Sequence, residues 1–148
     1  MHPQRFPLTQ KAKLVDPKGR VLLLRDAATG TWDLPGGRLD PGELYDLGAA
    51  LRRELDEEIA GVAVTLRDAP EALLPHTMAD GSEALMLLWQ GRAEGLPTLS
   101  PEHNAWTWWT RESLVAPEAP ALRAALGLMN ATPWHYGISG TRGAIGRT

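Results

Sequence analysis

No cysteine occurs anywhere in the 148 residues. That excludes a disulfide framework, a thiolate metal site and a cysteine nucleophile, and it fits the reducing cytoplasm, the location the sequence leads one to expect. Charge of one sign is lacking as well. Against 18 Asp+Glu there are 15 Lys+Arg, a net charge of −3, so no global basic field exists for nucleic acid or an anionic membrane, and neither partner is expected. No apolar run approaches the ~18 residues of a membrane span, and no charged-then-apolar leader is found. Repeats and charged low-complexity tracts are missing too. What is left is a chain of single-domain size, long enough to bury a respectable core.

One segment carries chemistry. Leu47, Leu51, Leu55 and Ile59 recur every four residues and make the apolar stripe of a helix that faces a core. Glu54, Glu57 and Glu58 sit at i, i+3 and i+4, within roughly a 100° arc. Each like-charge pair of this kind costs about 0.2–0.5 kcal/mol, which points to a cation that neutralises them, and hard oxygen ligands suit Mg²⁺ or Mn²⁺. Glu54 and Glu58 border the stripe, whereas Arg52 and Asp56 form an inconsequential pair on the solvent side. Arg53 flanks the acidic cluster, where it orients a carboxylate or pairs with a phosphate. Asp46 is placed to cap the helix, and Gly61 to stop it as a left-handed C′ residue.

Together with the preceding GGRLDPGE at residues 36–43, this helix resembles the signature of the Nudix hydrolases. Gly37, Glu43, Arg53, Glu54, Leu55, Glu57 and Glu58 take the signature's roles, and Trp32-Asp33-Leu34-Pro35-Gly36 looks like its strand-to-loop entry. Two departures stand out. Nine residues separate Glu43 from Arg53 where the signature has seven, and the terminal glycine falls one place late. Counting back from Arg53 assigns the extra residues to Leu44 and Tyr45, which lengthens the loop and puts at stake the role of Glu43, a brace between loop and helix in the family.

The resemblance implies an α/β fold, a Nudix-type α/β/α sandwich with a mixed β-sheet. It implies a Mg²⁺-dependent pyrophosphohydrolase, with Mn²⁺ as a possible substitute, cleaving the diphosphate linkage of a small nucleotide, either an ADP-ribose-like nucleoside diphosphate derivative or a nucleoside triphosphate. Metal ligands would be Glu54, Glu57, Glu58 and the Gly36 carbonyl. Catalytic roles fall to Arg53, Glu54 and Glu102, with Glu54 favoured as the base. Arg25 and Arg38 are candidates for holding phosphates, and Trp32 and Trp106 for stacking a base. His103 relays a proton or is simply a loop histidine. Pro75 lies at a spacing like that of ADP-ribose pyrophosphatases. The rival reading is a catalytically idle Nudix domain that binds a nucleotide as sensor or adaptor; another is a housecleaning enzyme for oxidised nucleoside triphosphates. A monomer or homodimer is expected.

Organisation follows from pattern and turn signals. Residues 1–10 read as an N-terminal extension, 11–130 as the Nudix domain and 131–148 as a Gly-rich tail, flexible from Gly137. Strands are expected at 11–15, 20–25, 62–66, 71–74, 83–91 and 105–109, with a loop over 95–102. Helices are expected at 111–114 and 120–129. Trp106 and Trp108 alternate onto one sheet face and Trp109 onto the other.

Overall fold

The computed structural model describes residues 2–78, 80–128 and 136–137. Its elements run β1 (Leu8–Val15), β2 (Val21–Asp26), β3 (Trp32–Asp33), β4 (Gly36–Arg38), α1 (Leu47–Glu58), β5 (Ile59–Ala60), β6 (Ala63–Leu66), β7 (Ala72–Thr77), β8 (Glu83–Glu94), β9 (Thr98–Leu99), β10 (His103–Trp109), α2 (Pro120–Ala125) and β11 (Tyr136–Gly137). The main sheet has the order β10-β2-β1-β8-β7-β11, with β3 joined to β2, β4 to β1 and β6 to β8; β5 and β9 pair separately. It is mixed, because β1 runs parallel to β8 while its other ladders are antiparallel.

The apolar run Val21–Leu24 is buried at every position, as expected of a strand covered on both faces. Leu22 and Leu24 join Leu51, Leu55 and Trp89 in the cluster beneath α1. Val21 and Leu23 join Leu74, Met86 and Leu88 in the cluster beneath α2, which contributes Ala121, Leu122 and Ala125. One helix on each face makes the chain an α/β/α sandwich. The tryptophans follow the alternation of β10: Trp106 and Trp108 pack on the α1 side, Trp109 on the α2 side.

Several elements differ from the sequence reading, each for a local reason. Strand β1 starts ahead of Lys11 because Thr9 and Gln10 are paired on both edges, with Met86 and Leu87 on one side and Arg38 and Gly37 on the other. Residues 111–114 are a turn and not a helix: the Thr110 N–H donates to Ser113 Oγ at 2.8 Å and the Ser113 N–H to the Thr110 carbonyl at 3.0 Å, so a hydroxyl competes with helix formation. Helix α2 ends at Ala125, short of Met129, in a Schellman motif. There Gly127 has φ +71°, and the Leu128 and Gly127 N–H groups donate to the Arg123 and Ala124 carbonyls. The segment 95–102 is not wholly loop, since β9 within it pairs with β5 directly after α1. Gly61 does have φ +91°. It serves the turn after β5, where the Val62 N–H reaches the Ile59 carbonyl, and not the helix C′ position.

Of residues 131–148 only Tyr136 and Gly137 are described, as a strand paired with Leu73 and Ala72; the flexible tail expected from there on lies outside the described residues. No described helix is long and apolar enough to cross a membrane.

Candidate active site

Position of the acidic helix is set at its first turn. Asp46 accepts the Ala49 N–H at 3.0 Å, satisfying one of the orphan donors. Buried Gln10 then ties the helix to the sheet, donating to the Leu47 carbonyl at 3.0 Å while its Oε1 accepts Trp89 Nε1–H at 2.8 Å. The longer loop does not disturb this. Leu44 is 59% and Tyr45 94% exposed, so the extra residues bulge into solvent. Glu43 keeps its bracing position: Oε1 accepts the Asp40 N–H at 2.9 Å, and Oε2 accepts Arg53 Nη2 and Nε at 2.8 and 3.2 Å. Arg53 also reaches Glu57 at 3.3 Å and Glu54 at 3.4 Å. It orients carboxylates.

The carboxylates of Glu54, Glu58 and Glu102 lie within each other's electrostatic field. Glu58 is 4% exposed and accepts the Gly36 N–H at 2.9 Å. Burial pushes its carboxyl up to about 7, with Glu54 and Glu102 adding to the rise and the Gly36 N–H and Lys11 opposing it. Glu54 is raised as well, first by burial and then by Glu57 and Glu102. Two glycines make room. Gly36 has φ +138°, and a Cβ there would collide with the Gln10 carbonyl oxygen. A Cβ on Gly37 would fall 2.8 Å from the Glu54 carboxyl group. From the other side, one ligand atom each of Glu58, Glu102 and His103 lie within 4.8 Å of one another. Glu57 stands apart, 60% exposed and turned to Arg53.

Other candidates are dispersed around this centre. Arg25 Nε donates to Asn104 Oδ1 at 2.8 Å, with its guanidinium 6.0 Å from the Trp32 ring centroid. Arg38 contacts Met78 Sδ at 3.7 Å. Trp32 packs on the α2-side cluster and Trp106 on the α1-side cluster, so the two indoles lie on opposite faces of the sheet. Sequence reasoning missed Lys11. Its ammonium is 3.3 Å from Asp33. Burial works against the charge, yet Asp33, Glu58 and Glu54 outweigh it and raise the pKa, so Lys11 is the counter-charge inside the site. The only sequence signal was a lysine within an apolar strand; nothing in the spacing ties Lys11 to Glu58.

The signature helix, its glycine pair and the Arg53–Glu43 brace thus converge on one acidic centre. A model of the NUDIX domain matches residues 9–128. The chain belongs to the Nudix hydrolases. Among relatives of this hydrolase, an RNA pyrophosphohydrolase of Rhodospirillum rubrum is 29% identical over 129 residues, 74% of this chain and 76% of the relative. Among solved structures, a MutT NUDIX hydrolase of Burkholderia pseudomallei superposes with a TM-score of 0.69 at 27% identity, covering 84% of this chain and 98% of that one. An ADP-ribose pyrophosphatase of Streptococcus suis shares the fold, with a TM-score of 0.59 at 17% identity over 88% of this chain and 96% of that one.

Proposed function

We propose that this Nudix hydrolase is a Mg²⁺-dependent pyrophosphohydrolase, with Mn²⁺ as a substitute, acting on the diphosphate linkage of an ADP-ribose-like nucleoside diphosphate derivative or a nucleoside triphosphate. The observation that carries the reading is the convergence of Glu54, Glu58 and Glu102 beside Gly36 and Gly37. A donor set of carboxylate oxygens suits a hard divalent cation, and Glu58, pushed up to about 7 by burial with Glu54 and Glu102 adding to the rise, carries its charge most readily beside one. Glu54, Glu58 and the Gly36 carbonyl would hold the ion, with Glu57 available once it leaves Arg53.

A bound divalent ion supplies neutralisation of phosphate charge and a more acidic water. The chain's own groups do the rest. Glu54, its basicity raised by burial, accepts the proton of the attacking water as its oxygen bonds to phosphorus and the bridging P–O bond breaks. Glu102 serves as outer ligand or second base. Arg53 holds Glu54 in place, Arg25 and Arg38 offer charge for phosphates, and Trp32 or Trp106 a face for the base. The protein acts as a monomer or homodimer.

The test is a panel of purified substrates with Mg²⁺: ADP-ribose and other nucleoside diphosphate derivatives, ordinary and oxidised nucleoside triphosphates, and an RNA with a 5′-terminal polyphosphate, the last suggested by the pyrophosphohydrolase relative. Release of a monophosphate product or pyrophosphate, abolished by Glu58→Gln, supports the reading. Tight nucleotide binding without turnover on any member overturns it in favour of the idle sensor domain. Against that rival stands the Glu43–Arg53 pair, which keeps the catalytic helix braced despite the longer loop.

A further inference from the structure

His103 opens β10 at the rim of the main sheet, opposite Asp26, with an irregularity in register between His103 and Ala105. Such irregularities re-aim side chains at sheet edges. The local backbone is anchored on both sides: the Ala27 N–H donates to the Glu102 carbonyl at 2.9 Å and the His103 N–H to the Ser100 carbonyl at 3.1 Å. Glu102 and His103 are therefore presented together to Glu58 on α1, with one imidazole nitrogen and two carboxylate oxygens mutually within 4.8 Å.

Nδ1 of His103 is buried and, among the described residues, has no hydrogen-bond partner. A buried polar atom left unpaired is costly, and such atoms in native proteins call for an explanation. An imidazole with an unpartnered buried nitrogen, one of whose ring nitrogens stands within 4.8 Å of carboxylate oxygens of Glu58 and Glu102, has the donor set and spacing of a cation site.

We infer that His103 is a nitrogen ligand of the metal site, which makes the site a mixed carboxylate–imidazole one that holds Mn²⁺ in preference to Mg²⁺. Imidazole suits first-row transition ions, whereas Mg²⁺ favours all-oxygen coordination. The inference rests on the metal-dependent reading above and adds to it an identified nitrogen donor and a consequence for metal choice. Glu58 and Glu102 supply the oxygens nearest the imidazole, beside the Glu54 carboxylate and Gly36 carbonyl of the reading above.

The test is Mn²⁺ binding by metal-free protein, followed by electron paramagnetic resonance, with Mg²⁺ as competitor. Wild type should show nitrogen coupling in pulsed spectra of the Mn²⁺ complex, and the coupling should persist in His76→Gln. In His103→Gln it should vanish, with the Mn²⁺ Kd raised about tenfold or more and the Mg²⁺ Kd changed by less than about threefold. No nitrogen coupling in wild type overturns the proposal even if His103→Gln fails to fold. So does coupling that survives in His103→Gln. Glu58→Gln separates the two levels: if it abolishes Mn²⁺ binding while His103→Gln changes nothing, the carboxylate site stands and only the histidine assignment falls. Undiminished binding in both variants removes the metal site itself.

Discussion

At the scale of single residues, the three helix glutamates that look equivalent in sequence have unequal surroundings. Glu58 is buried and Glu57 is 60% exposed in an ion pair with Arg53. Glu58→Gln is accordingly expected to weaken Mg²⁺ binding and cut turnover by orders of magnitude, and Glu57→Gln to do so to a smaller degree; equal effects in metal titration and steady-state assays would contradict the asymmetry. The proton acceptor is a second residue-level question. Glu54→Gln should lower kcat at saturating Mg²⁺ by at least as much as Glu102→Gln, because Glu54 is fixed by Arg53 and abuts Gly37, while Glu102 stands in the turn before β10. A Glu102→Gln enzyme with normal metal affinity and the larger loss of kcat would reverse the roles. The indoles differ as well. Trp106→Ala should mainly destabilise, since Trp106 packs beneath α1, whereas a base stacked on Trp32 would show in Trp32→Ala as a KM increase equivalent to about 1–3 kcal/mol.

At the scale of elements, the catalytic helix is held by few polar contacts that each have a defined partner. Gln10 crosses from β1 to the start of the helix, and it is 2% exposed. Gln10→Met leaves Trp89 Nε1–H without its acceptor, a loss of about 1–3 kcal/mol expected in urea denaturation. Because the helix start loses its tie to β1, metal affinity should fall in the same variant even under conditions where it is fully folded. Unchanged affinity would show that packing of Leu51 and Leu55 alone positions the glutamates. The Arg53–Glu43 brace is the other such device, and it explains how the loop absorbs Leu44 and Tyr45: their side chains go outward and the ends of the loop stay where they are.

For the molecule as a whole, burial of Glu58 links folding to pH. Its carboxyl is raised from 4.5 to about 7 in the fold, so between those values the native state keeps a proton that the unfolded chain releases. The contribution of Glu58 to stability therefore declines as pH rises through this window and is flat above it, by about 3 kcal/mol in all. His76 and His103, held low first by burial, act in the opposite sense, because they must charge when the chain unfolds below neutrality. A comparison with Glu58→Gln cancels them. In metal-free buffer the stability of wild type relative to Glu58→Gln should fall from pH 4.5 to 7, and saturating Mg²⁺ should restore it by displacing the proton. A gap that does not vary with pH would mean that Glu58 is not desolvated in the fold.

The amino-acid sequence by itself determined the signature helix, its Asp46 cap, the apolar stripe that faces the sheet and the alternation of the tryptophans, because these depend on periodicity and local hydrogen bonding over a few residues. It also determined the family, through the fixed spacing from Arg53 to Glu58 on the helix. Only the tertiary structure decided which glutamate is buried and that Glu43 still braces a lengthened loop. Lys11 and His103 belong to the same class. They reach the acidic centre through strand pairing between segments far apart in the chain, and neither periodicity nor motif spacing carries the information of which strands become neighbours.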